Sequence, residues 1–234
     1  LALATRRLQQ ARGAQERLLA DAAHELRTPL TLMRTTVDLA LRKERTAGEL
    51  AEALRETRTE IDRLTALAGT LLERAELTHG PLERAPVDVR ALVEEALGAA
   101  RGVASERGVT LRVEGPAHLP ADLHALSLRR ALDNLLSNAL RFAPGGSEVA
   151  VQLSSPPGRL VLEVRDQGIG IPPQEREAVF EPFHRLDHSG TGTGLGLSLV
   201  REVAQRHGGR AYVADGPGPG ARLVLELPQG ALLA

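Results

Sequence analysis

The sequence contains no cysteine and no tryptophan, and Lys43 is the one lysine among 29 basic residues. Without cysteine, disulfides, thiolate zinc sites, iron–sulfur clusters and a cysteine nucleophile are excluded together. With so little lysine there is no P-loop, which needs that residue after its glycines, and Schiff-base chemistry would rest on Lys43 alone. Aromatic residues make up 2% of the chain, too few for the stacking platforms that bind single-stranded nucleic acid. The 29 basic and 30 acidic residues leave a net charge of -1, so no overall field favours nucleic acid or an anionic membrane. Any phosphate site must therefore be local. Long apolar runs are also missing, which rules out a membrane-crossing helix, and no leader pattern follows Leu1. The chain is expected to be a fragment of a longer protein. What is present, 42% hydrophobic and 25% charged residues over 234 positions, is the balance of a globular protein with a sizeable core.

Two textures divide the chain. Leu19, Ala23, Leu26, Leu30, Met33, Val37 and Ala40 follow the alternating steps of a heptad seam, and so do Leu50, Leu54, Thr57, Ile61, Leu64, Ala68, Leu71, Ala75 and Thr78. The polar stretch from Arg42 to Glu49 separates them, which predicts a helical hairpin. One hairpin buries little of its seam, so a homodimeric four-helix bundle is expected. His79-Gly80-Pro81 stops the second helix. Beyond Pro86 short elements alternate. Strands are predicted at 87–90, 109–113, 148–154, 159–165, 211–214 and 222–227, and helices at 91–106, 123–142 and 195–207. Three helices on about five strands make a two-layer α+β sandwich.

Four segments carry groups suited to chemistry. In His24-Glu25-Leu26-Arg27-Thr28-Pro29, the seam positions Ala23 and Leu26 put His24, Glu25 and Thr28 on the outward side of the first helix. An exposed imidazole beside a carboxylate suits a nucleophile and its base. A lone helical histidine is more often merely solvated, but Pro29 inside the helix implies that a kink or loosened turn is tolerated there. Asn134, Asn138 and Arg141 form a stripe of amides and a guanidinium on the helix that ends before Pro144. Amide oxygens suit magnesium already bridging phosphates, although a solvated polar face has the same pattern. Asp166-Gln167-Gly168-Ile169-Gly170 follows a strand, so its carboxylate can accept from an exocyclic amino group while glycines admit a planar ring; alone, it is a turn. Gly192-Thr193-Gly194-Leu195-Gly196-Leu197 leads into a helix whose free N–H groups favour phosphate, or is simply a mobile loop with a helix cap.

Taken in order over about residues 14 to 228, these segments resemble the transmitter core of the sensor histidine kinases of two-component systems. The His24 stretch is similar to the family's phospho-acceptor box, Asn134–Phe142 to its asparagine box, and Asp166–Gly170 and Gly192–Leu197 to its two glycine boxes. Val179–Phe183 is similar to the phenylalanine box, and Gly218–Pro228 to the closing strand. The family often has lysine and tyrosine where Arg141 and Phe142 stand, and aspartate where His124 stands.

The resemblance implies a sandwich of the gyrase and chaperone ATPase kind that binds ATP and Mg2+. Asp166, Gly168 and Gly170 would meet adenine, and Asn138 with Asn134 would hold the magnesium. Arg141, Phe142 and Arg185 would also line the site, together with Gly192, Thr193, Gly194, Leu195, Gly196 and Leu197, under a lid from about Glu181 to Gly192. His24 would be the phospho-acceptor, Glu25 its base, and Thr28 the residue that orients water in members that also act as phosphatases. The partners implied are a second copy of the chain and the receiver domain of a response regulator, with no nucleic acid and no membrane insertion by this segment. Residues 1–13 would end an upstream signalling helix, 14–79 form the dimerisation and phosphotransfer domain, 80–86 a linker and 87–230 the ATP-binding domain. The intact protein would be a membrane sensor with this portion in the cytoplasm. Two other readings remain: a degenerate scaffold that binds no ATP, and an ATPase of the same sandwich family that acts through conformational change.

Overall fold

The computed structural model describes residues 2–78, 82–186, 193–216 and 218–229. It divides into two compact units, a helical hairpin and an α/β unit. The predicted stop at His79-Gly80-Pro81 lies outside the described residues.

The hairpin consists of α1 (Ala2–Leu41) and α2 (Ala47–Thr78). Thr46 and Glu49 form a capping box at the start of α2: Glu49 N–H donates to Thr46 Oγ1 at 3.2 Å, and Thr46 N–H donates to Glu49 Oε2 at 2.8 Å. Pro29 lies within α1, which is one unbroken helix and shows no interruption at the proline. Ala22, Leu26, Pro29, Met33, Thr36 and Ala40 are shielded on α1, and Ala53, Thr57, Glu60, Leu64, Leu67 and Leu71 on α2. The inward stripe of α1 thus runs one residue away from part of the expected seam. Ala23, Leu30 and Val37, and likewise Leu54, Ile61 and Ala68, are exposed. The cause is the width of the apolar surface, which is broader than one helix–helix contact can cover.

In the α/β unit, β2 (Thr110–Glu114), β4 (Glu148–Ser154), β5 (Arg159–Arg165), β7 (Arg222–Pro228) and β6 (Arg210–Val213) form a five-stranded sheet in the order β2-β4-β5-β7-β6. Only β2 and β4 pair in parallel. Helices α3 (Val89–Glu106), α4 (Ala125–Phe142) and α5 (Gly196–Arg206) pack on this sheet, with α4 touching both of the others. Leu128, Leu132 and Leu135 of α4 are buried against Leu162, Leu199 and Leu225 in one core. Burying such side chains supplies the main drive for this layer.

A second, two-stranded sheet that the sequence pattern does not predict is formed by β1 (Ala85–Asp88) pairing antiparallel with β3 (Pro120–Leu123). Leu123 therefore belongs to a strand and not to the following helix. Asp88 ties this edge together as the N-cap of α3, accepting from the N–H groups of Arg90 and Leu119, each at 3.0 Å, and contacting His118. Those bonds, led by the one from Leu119, lower its pKa to about 2. His124 caps α4 in the place where the family often has aspartate, its Nδ1 accepting from Ser127 N–H at 3.3 Å.

Candidate functional site

On the hairpin, His24 and Thr28 are exposed as expected, and the Thr28 hydroxyl points back to the His24 carbonyl at 3.4 Å. Glu25 differs from the expectation of an outward side chain. It is half-buried, and its Oε2 lies 3.5 Å from Nη2 of Arg63 on α2. The guanidinium across the hairpin draws the carboxylate inward while its neighbour His24 stays in solvent. Pro29, which has no N–H, leaves the Glu25 carbonyl without its usual helical donor.

In the α/β unit, one face of α4 is buried and the opposite stripe carries Asn134, Asn138 and Arg141, all half-buried. Asn134 is engaged: its amide nitrogen donates to Arg130 O at 2.9 Å, and a Cβ added to Gly196 would come within 2.6 Å of its Oδ1. The Asn138 side chain makes no hydrogen bond among the described residues. Arg141 lies over the Phe142 ring, 5.1 Å from its centroid. The last turn of α4 is held by Arg107, a residue missed in the sequence, whose Nη1 donates to the carbonyls of Leu140 and Arg141 at 3.1 and 3.2 Å.

Asp166 lies at the end of β5 and is 3% exposed. Its Oδ1 accepts from Gly168 N–H at 2.8 Å and Ala221 N–H at 3.1 Å. Oδ2 makes no bond among the described residues. Burial raises the carboxyl pKa, and the two N–H bonds oppose that rise. The backbone around this group is packed too closely for side chains. A Cβ on Gly168 would meet Phe142 O at 2.4 Å, and one on Gly220 would meet Asp166 O at 2.0 Å. Gly170, at φ +73, abuts Gly220 O. The Gly220 contact was not foreseen; the Gly-rich stretch before β7 was the signal available for it.

The glycine segment before α5 is described from Thr193 onward, and Gly192 lies outside the described residues with the second half of the expected lid. Helix α5 begins at Gly196 without a side-chain cap from Leu195. Leu195 is buried in the core, so it offers a ligand its backbone and not its side chain, while Leu197 is half-buried and packs against the core. Phe183, at φ +63, donates its N–H to Gly194 O at 2.9 Å, joining the phenylalanine segment to the glycine segment. Arg185 is half-buried. Within the α/β unit Gly196 thus lies against Asn134 of α4, and Gly168, bonded to Asp166, lies against Phe142 at the end of the same helix.

A family model described as the His Kinase A (phospho-acceptor) domain matches residues 14–80, and one described as histidine kinase-, DNA gyrase B- and HSP90-like ATPase matches residues 124–231. The solved mycobacterial sensor histidine kinase MprB is 35% identical, with a TM-score of 0.54, and the match covers 97% of that chain and 62% of this one. The chain belongs to the sensor histidine kinases. It contains the two domains of their transmitter core. The histidine-protein kinase/phosphatase MprB of Mycolicibacterium paratuberculosis is 35% identical over 97% of this chain and 45% of its own length. Full-length ShkA, solved in complex with AMPPNP, is 27% identical with a TM-score of 0.65, covering 94% of this chain and 47% of ShkA. This histidine kinase core spans about half the length of the curated relatives it matches. Among the described residues no helix is long and apolar enough to cross a membrane.

Proposed function

We propose that this chain is the catalytic core of a sensor histidine kinase that transfers the γ-phosphoryl group of ATP to His24. The observation that carries the proposal is the exposed His24 beside Glu25 on a helical hairpin, in the same chain as a buried carboxylate with one free oxygen. A conformational ATPase of the sandwich family has no use for such a histidine, and a degenerate scaffold has no use for the intact Asp166 carboxylate.

Asp166 suits adenine because Oδ2 is free to accept from the exocyclic amino group while two N–H groups hold Oδ1. Gly168 and Gly170 let the ring approach the backbone. Asn138 fits magnesium carried on the phosphates, since its amide oxygen is uncommitted; Asn134 stands behind it, tied to Arg130 and Gly196. The ion, once bound, would neutralise charge on the phosphates. Arg141 and Arg185 supply further positive charge, and the start of α5 with Thr193, Gly194 and Gly196 supplies backbone donors. The AMPPNP complex of ShkA supports nucleotide binding in a relative.

In the transfer, His24 Nε2 forms a bond to the γ-phosphorus as the bond from that phosphorus to the β,γ-bridging oxygen breaks. ADP leaves with the electron pair, and the Nδ1 proton passes to Glu25. The phosphoryl group then moves to an aspartate of a response-regulator receiver domain. Thr28, one turn from His24, would orient water for dephosphorylation of that regulator, and the name of the MprB relative, kinase/phosphatase, supports this second activity. The exposed stripe of Ala23, Leu30 and Val37, with Leu54, Ile61 and Ala68 on α2, supports a homodimeric bundle. In this reading residues 14–79 form the phosphotransfer domain and 87–230 the ATP-binding domain, on the cytoplasmic side of a membrane sensor.

Incubation of the chain with ATP, followed by acid and base treatment, tests the proposal. Phosphoryl-histidine is lost in acid and kept in base; a base-labile linkage or no linkage refutes it. Asp166→Asn should bind an ATP analogue at least about tenfold more weakly while the fold persists.

A further inference from the structure

On the reading that Glu25 takes the proton from His24, its carboxylate has to be held with one oxygen free, and residues of α2 stand in the place to do this. Glu25 Oε2 lies 3.5 Å from Arg63 Nη2, a contact between residues 38 positions apart. Arg63 Nη1 in turn lies 4.0 Å from Oε2 of Glu60, one turn back on the same helix. That Glu60 oxygen is buried and accepts no hydrogen bond. Side-chain exposure rises outward along the row, from 17% at Glu60 to 27% at Arg63 and 34% at Glu25. His24, next in the chain, is exposed.

An ion pair this exposed adds little to the stability of the hairpin. It does restrict rotamers, because a guanidinium is a planar fork that fixes direction as well as charge. Glu60 has no other cation within reach among the described residues, so Arg63 stands between two carboxylates, at 3.5 Å from the outer one and 4.0 Å from the inner one.

We propose that Arg63 is a positioning residue for phosphoryl transfer to His24: it holds Glu25 by Oε2 and leaves Oε1 for the imidazole, and Glu60 anchors Arg63. The proposal rests on Glu25 being the base.

The test uses the whole chain and the initial rate of His24 phosphorylation at varied ATP. Arg63→Met, which keeps the apolar stem, should lower kcat about tenfold and leave the KM for ATP unchanged, since only alignment of the base is lost. Arg63→Lys should restore most of the rate. Glu60→Gln, which loosens the anchor without emptying the position, should give a smaller fall, also in kcat alone. Glu25→Gln should lower kcat more than any of these, and adding Arg63→Met to it should change the rate less than twofold. A full effect of Arg63→Met in the Glu25→Gln background overturns the positioning role while leaving Glu25 as base. A wild-type rate in Glu25→Gln overturns the base itself, and the positioning role with it.

Discussion

The side-chain oxygen of Asn134 occupies the space that a side chain at Gly196 would need, with 2.6 Å between Asn134 Oδ1 and a Cβ built at residue 196. The asparagine helix and the glycine segment are therefore fitted to each other, and each sets the place of the other beside the proposed phosphate seat. Gly196→Ala should move the Asn134 amide, which can yield because it ends a side chain, and should displace the start of α5. ATP-analogue affinity is expected to fall about tenfold or more, with near-native thermal stability. Titration calorimetry beside a melting curve separates the two effects, and unchanged affinity would contradict the fit.

Gly220 behaves differently, because its neighbour is backbone. A Cβ there would meet Asp166 O at 2.0 Å, and φ is +101, outside the range side chains accept. Gly220→Ala should cost more than about 3 kcal/mol, through strain and loss of the Asp166–Ala221 pairing. Urea unfolding of the variant should show a strongly lowered midpoint, whereas a midpoint like that of the wild type would show that the turn relaxes freely.

A third expectation concerns pH. His207 is 1% exposed; its Nδ1 faces Val203 O at 2.8 Å and its Nε2 accepts from His124 N–H at 3.2 Å. Burial lowers its pKa, and the charges of Arg84, His124 and Arg206 act in the same direction against the Val203 bond. The folded state thus binds the proton less readily than the unfolded one. The stabilisation is complete above the unfolded value of about 6.5 and is lost progressively as pH falls below it. The urea midpoint should drop between pH 7.5 and 5.5, and the drop should be smaller in His207→Gln. Equal drops in both proteins would remove His207 as the cause.

Much of this was legible from residue type and spacing. The alternation in β4 and β5 and the apolar period of α4 marked their elements, because each buries one face of a regular period. Asp166, Gly168, Asn134 and Asn138 were singled out as candidates by local pattern. The strand Pro120–Leu123 was not, since it opens on proline, has only Ala121 and Leu123 as an apolar alternation, and exists through its pairing with a distant segment. The inward turn of Glu25 was hidden for the same reason: it depends on Arg63, which no local periodicity connects to it. Ala221 donates to Asp166 across 55 positions. Contacts of this kind are set by how the chain closes on itself, and a heptad frame could not say which of two neighbouring stripes faces the partner helix within one chain and which is left exposed.

The most direct test of the account compares the wild-type chain with His24→Gln after incubation with γ-labelled ATP and Mg2+. The wild type should acquire acid-labile, base-stable label, and the variant none, while both bind an ATP analogue with equal affinity. Label of the same amount and chemistry on His24→Gln would contradict the assignment of His24 as the phospho-acceptor.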